Sequence, residues 1–180
     1  MSGYPRWTYY PARDEPPKWV AGFVDIVSSV KSEIDSTQVA GLKSDTVLRH
    51  LRPGLESIGF AVEAGKKAVD RITLPVLFGE QGSPRVRYDV DGVHAGLGIL
   101  LEVEAGRGAR SNAVYRNLIR TSLIVDAKYL ALGVMNEYHH QSSGKSIIVR
   151  SYQDTRDQLD AIFASQRLKL PFEGVLLFGY

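Results

Sequence analysis

The 180-residue chain contains no cysteine. Disulfide bonds, thiolate zinc sites and a cysteine nucleophile are therefore excluded, and the composition fits a reducing cytosol. No uninterrupted apolar run approaches the ~20 residues that a transmembrane helix needs, and the N-terminus lacks an apolar signal core. These absences predict a cytoplasmic protein without a membrane partner.

The chain also lacks a large excess of charge of either sign, because its net charge is only +2. This balance does not by itself indicate a nucleic-acid-binding protein. Charged residues make up 23% of the chain and hydrophobic residues 44%, which is ordinary for a globular protein. The length predicts a single domain over 1–180, in which residues 1–17 form a Pro-, Tyr- and Arg-rich N-terminal arm.

Hydrophobic periodicity predicts helices, then an antiparallel meander, then alternating helices and strands. Four segments have helical spacing, at 18–34, 44–58, 111–127 and 154–165. Extended patterns bounded by glycine or proline lie at 60–63, 72–78, 85–93, 97–104, 129–135, 147–149 and 174–180. The polar segment 136–145 is predicted to be a loop. This order predicts an α/β (α+β) fold, with a central mixed β-sheet flanked by helices.

Two short acidic pairs lie in the predicted strands. Asp89 and Asp91 form the first pair, and Glu102 and Glu104 form the second. Because side chains alternate along a strand, the two members of each pair share a face. If the two strands form a hairpin, three or four carboxylates converge, and oxygen-only clusters suit Mg²⁺, Mn²⁺ or Ca²⁺.

A second interpretation of these acids is that they are solvated or form structural ion pairs. Asp91 precedes Gly92, a common turn combination, so the first pair can simply face water. Glu102 differs, because it follows a continuous apolar run that is typical of an interior strand. An unpaired carboxylate there costs several kcal/mol. The second pair therefore needs a metal, an arginine or hydrogen-bond donors.

The segment after the second pair is basic. Between residues 105 and 125 there is no acid, and Arg107, Arg110, Arg116 and Arg120 all lie there. Asn112 shares one helical face with Arg116 and Arg120, since the three are spaced four apart. A solvated basic face is the simpler interpretation. A cation site beside a phosphate-binding helix is, however, the arrangement that cleavage of a phosphodiester requires.

These residues resemble the PD-(D/E)xK nuclease superfamily, which includes many restriction endonucleases. Asp91 (or Asp89) corresponds to the first acid, and Glu102-Val103-Glu104 corresponds to the D/E-x-K element of the next strand. The helix near Asn112 and the following strand complete the family's core order. The resemblance spans about residues 45–135 and implies a restriction-endonuclease-like fold.

The resemblance implies a metal-dependent DNA endonuclease with Mg²⁺, or Mn²⁺ as a substitute, and DNA as partner. It implies that Asp91, Glu102 and the Val103 carbonyl bind the metal, with Glu56 from the preceding helix as a further ligand. Glu104 replaces the usual lysine, and it would orient or deprotonate the attacking water. The residues expected to contact nucleic acid are Arg107, Arg110, Asn112, Arg116, Arg120, Lys66 and Lys67. The positive charge of the missing lysine would come from Lys66, Lys67 or Arg107.

Two alternatives remain open at this point. The chain can be a nucleic-acid-binding or protein-interaction module that keeps the fold without cutting, because the family's lysine is missing. A homodimer is also open, since enzymes that cut both strands of a palindrome commonly dimerise.

Overall fold

The computed structural model describes residues 3–65, 67–106, 112–165 and 167–180. Its helices are α1 (Trp19–Ser29), α2 (Lys31–Ile34), α3 (Ser44–Ser57), α4 (Ala113–Ser122) and α5 (Ser151–Ser165). Its strands are β1 (Arg6–Tyr10), β2 (Ala61–Val62), β3 (Ile72–Phe78), β4 (Pro84–Val90), β5 (Gly92–His94), β6 (Ile99–Glu104), β7 (Tyr129–Val134), β8 (Tyr138–Ser142), β9 (Lys145–Val149) and β10 (Gly174–Gly179). Within these ranges, no helix combines the length and the apolar composition needed to cross a membrane.

A mixed six-stranded sheet forms the centre of the molecule, as the sequence predicted. Its strand order is β1-β10-β7-β6-β5-β2. Strands β10, β7 and β6 run parallel to one another. β1 pairs antiparallel with β10 at one edge, and on the other side β5 pairs antiparallel with β6 and β2 antiparallel with β5. The strands β7 and β10 are nearly continuous apolar runs because both faces of the sheet are covered.

Helices cover both faces of this sheet. Alternate residues of β6 divide between the two layers: Leu101 and Val103 pack with α1 and α3, and Leu100 packs with α4 and α5. On α4, Val114 and Leu118 are buried in the second layer. Glu102 is one residue from Leu101 and therefore lies on the α4 face of the sheet.

The N-terminal segment is part of the sheet and not an arm outside it. Residues 6–10 form β1, which pairs antiparallel with β10, and the side chains of Tyr9 and Tyr10 are buried. The prediction of an arm at 1–17 is therefore wrong for these residues. Pairing over such a separation leaves no local signal in the sequence.

The predicted strand 85–93 is two strands in two different sheets. β4 pairs with β3 in a separate two-stranded sheet, which we call the ribbon, whereas β5 joins the central sheet. Asp91 lies between them. The backbone bends there because Glu63 N–H donates to the Asp91 carbonyl (2.8 Å) and Val103 N–H donates to the Asp91 carboxylate (2.7 Å).

Three other boundaries also differ from prediction. The helix predicted over 18–34 ends at Ser29, and Lys31–Ile34 form the separate short helix α2. α4 ends at Ser122 instead of about residue 127, because Val125 N–H donates to the Pro75 carbonyl of β3. The segment 136–145, predicted to be a loop, contains β8, which pairs with β9 in a hairpin.

Candidate active site

The acidic residues meet in a depression of about 340 Å³ beside the C-terminal end of β6, which we call the acid cleft. Among the described residues it is lined by Ser44, Glu63, Asp89, Val90, Asp91, Glu102, Val103, Glu104, Arg116, Asn117 and Arg120. A larger depression of about 870 Å³ lies against β9 and α5, but it is lined by none of the residues predicted for the site.

The hairpin predicted from the acidic pairs forms, and it brings Asp91 opposite Glu102. β5 runs antiparallel to β6, and their pairing ends where Gly92 faces Leu101, so Asp91 and Glu102 are the residues that directly follow this last pair. The two side chains are close enough for the charge of Asp91 to act on the carboxyl group of Glu102. Glu102 is only 8% exposed and Asp91 is partly buried. The two carboxylates therefore share a small, poorly hydrated space.

Burial and like charge favour the protonated forms of both acids. Burial, with the charges of Glu63, Glu104 and Asp45, raises the pKa of Asp91 to about 7, although the Val103 N–H acts in the opposite direction. Burial and the charge of Asp91 raise the pKa of Glu102 to about 9. The positive charges of Arg120 and Arg116 only partly oppose this rise. Such raised values in a cleft are typical of functional sites.

Glu104 is bound by the following helix. Its Oε1 accepts hydrogen bonds from Arg116 (3.0 Å) and from Asn117 Nδ2 (2.8 Å). Its backbone carbonyl accepts from the Tyr180 hydroxyl (2.8 Å). Arg116 therefore places a positive charge beside Glu104, where the sequence had suggested Lys66, Lys67 or Arg107.

Arg120 joins the acid cleft to the ribbon. Its guanidinium donates to the Asp89 carbonyl (3.1 Å) and lies over the Tyr88 ring, 5.2 Å from the centroid. The two arginines predicted from the helical face, Arg116 and Arg120, thus both line the cleft. Each is engaged by a group of the protein itself.

The side chains of Asp89 and Asp91 do not share a face, although their spacing predicted that they would. The Asp89 carboxylate accepts hydrogen bonds from Thr73 (2.8 Å) and Arg71 (3.2 Å) on and beside β3. Asp91 is directed at β6 instead. The prediction failed because the chain changes sheet at Asp91, so strand alternation does not extend across it. Asp91 is the member of the pair that faces Glu102.

Glu56 does not join the site. It is exposed near the end of α3, whereas Ser44 at the start of that helix lines the cleft. Twelve residues of helix separate their Cα atoms by about 18 Å. The acid that does approach from this side is Glu63, after β2, and the sequence argument missed it.

The remaining predicted contacts fall outside the cleft or outside the described residues. Asn112 precedes α4 and Lys67 lies before β3; both are exposed, and neither lines the cleft. Lys66, Arg107 and Arg110 lie outside the described residues. Asn117 was missed, although a signal exists: it is a polar residue on the otherwise buried face of α4.

The donor atoms fit a hard divalent cation, although three acidic side chains do not close around one point. No group of three or more His, Cys, Asp or Glu side chains in the described chain forms a metal site. Asp91 and Glu102 supply two carboxylates. The Val103 N–H donates to Asp91, and the carbonyl of the same residue points to the same side of the strand. Two carboxylates and one carbonyl are an all-oxygen set suited to Mg²⁺ or Mn²⁺.

Comparison of this chain with protein-family models, curated proteins and solved structures finds no match.

Proposed function

We propose that this protein is a metal-dependent DNA endonuclease with the restriction-endonuclease-like arrangement of the PD-(D/E)xK superfamily. The supporting observation is the pair Asp91 and Glu102, which face each other where β5 leaves β6 and have raised pKa values. The surrounding elements follow the order that the resemblance implies: α3, β2, β5, β6, α4 and β7.

In this proposal the two carboxylates and the Val103 carbonyl hold Mg²⁺. The bound cation supplies charge that stabilises the phosphate in the transition state and favours ionisation of water. Asp91 and Glu102 must lose their protons to bind it, so both metal affinity and activity rise with pH toward the pKa of Glu102. Glu104, oriented by Asn117, positions the attacking water.

Arg116 and Arg120 hold the scissile and flanking phosphates in this proposal. Arg116 is paired with Glu104, and Arg120 donates to a backbone carbonyl. The Arg116 side chain is 58% exposed, so a phosphate can reach it from solvent while Glu104, which is 14% exposed, keeps its hydrogen bond from Asn117. In this proposal the two arginines stabilise the acids of the cleft when no DNA is bound. When DNA is bound, they stabilise its phosphates instead.

The test is cleavage of plasmid and linear duplex DNA with Mg²⁺ or Mn²⁺ at about pH 8.5, which is above the raised pKa of Asp91 and near that of Glu102. We expect Glu102→Gln to lower the rate at least about 100-fold, because one ligand and its charge are lost. Glu15→Gln makes the same chemical change at an exposed acid outside the cleft and should retain full activity.

A thermal melt identifies the metal-loaded protein in the same experiment. Mg²⁺ should raise the melting temperature of the wild type but not of Glu102→Gln. If the loaded wild type leaves single- and double-stranded DNA and RNA intact, the endonuclease proposal is wrong. Salt-dependent DNA binding without cleavage would instead support the non-catalytic nucleic-acid-binding alternative.

A further inference from the structure

The ribbon has one face on the protein core and one face in solvent. Ile72, Leu74, Val76 and Tyr88 pack against the hydrophobic layer under α4 and α5. Strand alternation directs the intervening residues outward. The exposed polar residues are Arg71 beside β3, Thr73 of β3, and Arg85, Arg87 and Asp89 of β4. Leu77 and Phe78, at the end of β3 that is remote from Asp91, are also about half exposed.

The outer face has an excess of positive charge. Arg71 pairs with Asp89 at 3.2 Å, so these two charges balance. Arg85 and Arg87 are exposed and lie two residues apart on β4, with their side chains on the same face. Farther from the cleft, the tip of the ribbon contains one acid, Glu80.

The ribbon begins where the acid cleft ends. β4 runs directly into Asp91, and Arg120 contacts both the Tyr88 ring and the Asp89 carbonyl. At about 3.4 Å per residue, Arg87 lies about 14 Å and Arg85 about 20 Å from Asp91. These spans equal roughly four and six base-pair steps of duplex DNA. A duplex with one phosphate in the cleft and its axis along the ribbon would therefore reach both arginines.

We propose that the outer face of the ribbon is a duplex-DNA contact surface, with Arg85 and Arg87 as its principal contacts. The proposal rests on the proposed function, since it assumes that the strand to be cut enters the acid cleft. A two-stranded ribbon matches the major groove of about 12 Å, and arginine contacts both phosphates and the guanine edge. The charge of this face, and its continuity with the cleft, favour DNA over an acidic protein.

The experiment measures binding in EDTA, where a metal-dependent nuclease cannot cut. A fluorescent duplex of about 30 base pairs is titrated with protein from about 50 to about 200 mM salt, and anisotropy is recorded. The double variant Arg85→Ala/Arg87→Ala should bind at least about tenfold more weakly at the lowest salt. Its slope of log K against log salt should be shallower by about 2, since each lost phosphate contact removes about 0.9.

The matched control is the double variant Arg13→Ala/Arg167→Ala. It removes the same charge from two exposed arginines outside both the ribbon and the acid cleft. Its affinity should stay within about twofold of the wild type. Equal weakening in both variants would show that only net charge matters and would overturn the proposal, as would an unchanged ribbon variant or a wild type that does not bind.

Cleavage of the same duplex with Mg²⁺ separates the two proposals. Ribbon-dependent binding without any cleavage supports the ribbon surface and contradicts the nuclease. Cleavage with binding that is unaffected by the ribbon variant contradicts only the ribbon surface. Circular dichroism melts of both double variants confirm folding, which we expect to be unchanged because all four arginines are exposed.

Discussion

Glu102 is the residue whose proposed role as a metal ligand conflicts most directly with the stability of the fold. It is 8% exposed, and its neighbour Asp91 is a second carboxylate. Burial of a carboxyl group in such a place favours the neutral acid, so the folded protein retains a proton that the unfolded chain would release. A bound cation, or replacement of Glu102 by a neutral residue, removes this loss of folding stability.

The pH dependence of stability follows from this shift. The pKa of Glu102 is about 9 in the folded protein and about 4.3 in an unfolded chain. Below about pH 4 both states are protonated and Glu102 contributes no difference. As pH rises above that point, the unfolded chain ionises first and is favoured, so the folded protein loses stability until about pH 9.

We therefore predict that Glu102→Gln stabilises the metal-free protein by roughly 2–4 kcal/mol at about pH 8 and has little effect at about pH 4. Glutamine matches the protonated acid in shape and cannot ionise. Urea unfolding at both pH values measures the change, with Glu15→Gln as the exposed control. A stabilisation that is equal at both pH values would contradict a raised pKa at Glu102.

At the scale of elements, the position of the acids depends on the close packing of the central strands. Gly133 in β7 lies beside Phe178 in β10, and a Cβ at Gly133 would overlap the Phe178 ring. Gly133 also pairs with Val103 of β6, which donates to Asp91. The absence of a side chain at this one residue allows the sheet to pack under the acid cleft.

We predict that Gly133→Ala destabilises the protein by about 2 kcal/mol, because the ring or the strand must shift to accommodate the methyl group. Gly22→Ala in α1 is the control. A Cβ at Gly22 meets no atom within 4 Å, so this change should stabilise the helix by about 0.5–1 kcal/mol. Thermal unfolding measures both variants, and a Gly133→Ala protein as stable as the wild type would contradict the packing.

Elements with a strong local pattern could be predicted from the sequence. The apolar runs of β7 and β10 and the alternation of Glu102 and Glu104 are local, and the structure places them as predicted. β1 could not be predicted, because its partner β10 lies at the other end of the chain. Glu63 was missed because it enters the acid cleft through tertiary contacts that its own segment does not reveal. Asn117 was missed although its position on the buried face of α4 was a usable signal.

At the scale of the whole molecule, α4 has an apolar stripe in solvent. Tyr115, Ile119 and Leu123 are 43%, 47% and 50% exposed, and they lie four residues apart on one helical face, with exposed Val125 just beyond. Half-exposed large side chains present roughly 100 Å² each, so the stripe supplies about half of the ~800 Å² per partner in a standard interface. A two-fold axis would pair the stripe with itself.

We predict a homodimer that buries this stripe. Ile119→Glu should shift the protein from dimer to monomer, because two charges would be buried at the axis. Leu168→Glu makes a comparable change at an exposed apolar residue elsewhere, and it should leave the dimer intact. Sedimentation velocity distinguishes the species, and a monomeric wild type at high protein concentration would contradict the prediction.

The change of sheet at Asp91 has an evolutionary consequence. The tip of the ribbon, residues 79–83, lies at the end of β3 and β4 that is remote from Asp91, and the central sheet does not depend on its length. Insertions, deletions and substitutions there alter the surface that a partner meets and leave the paired carboxylates in place. Variation in this peripheral segment therefore changes an exposed surface without moving Asp91 or Glu102.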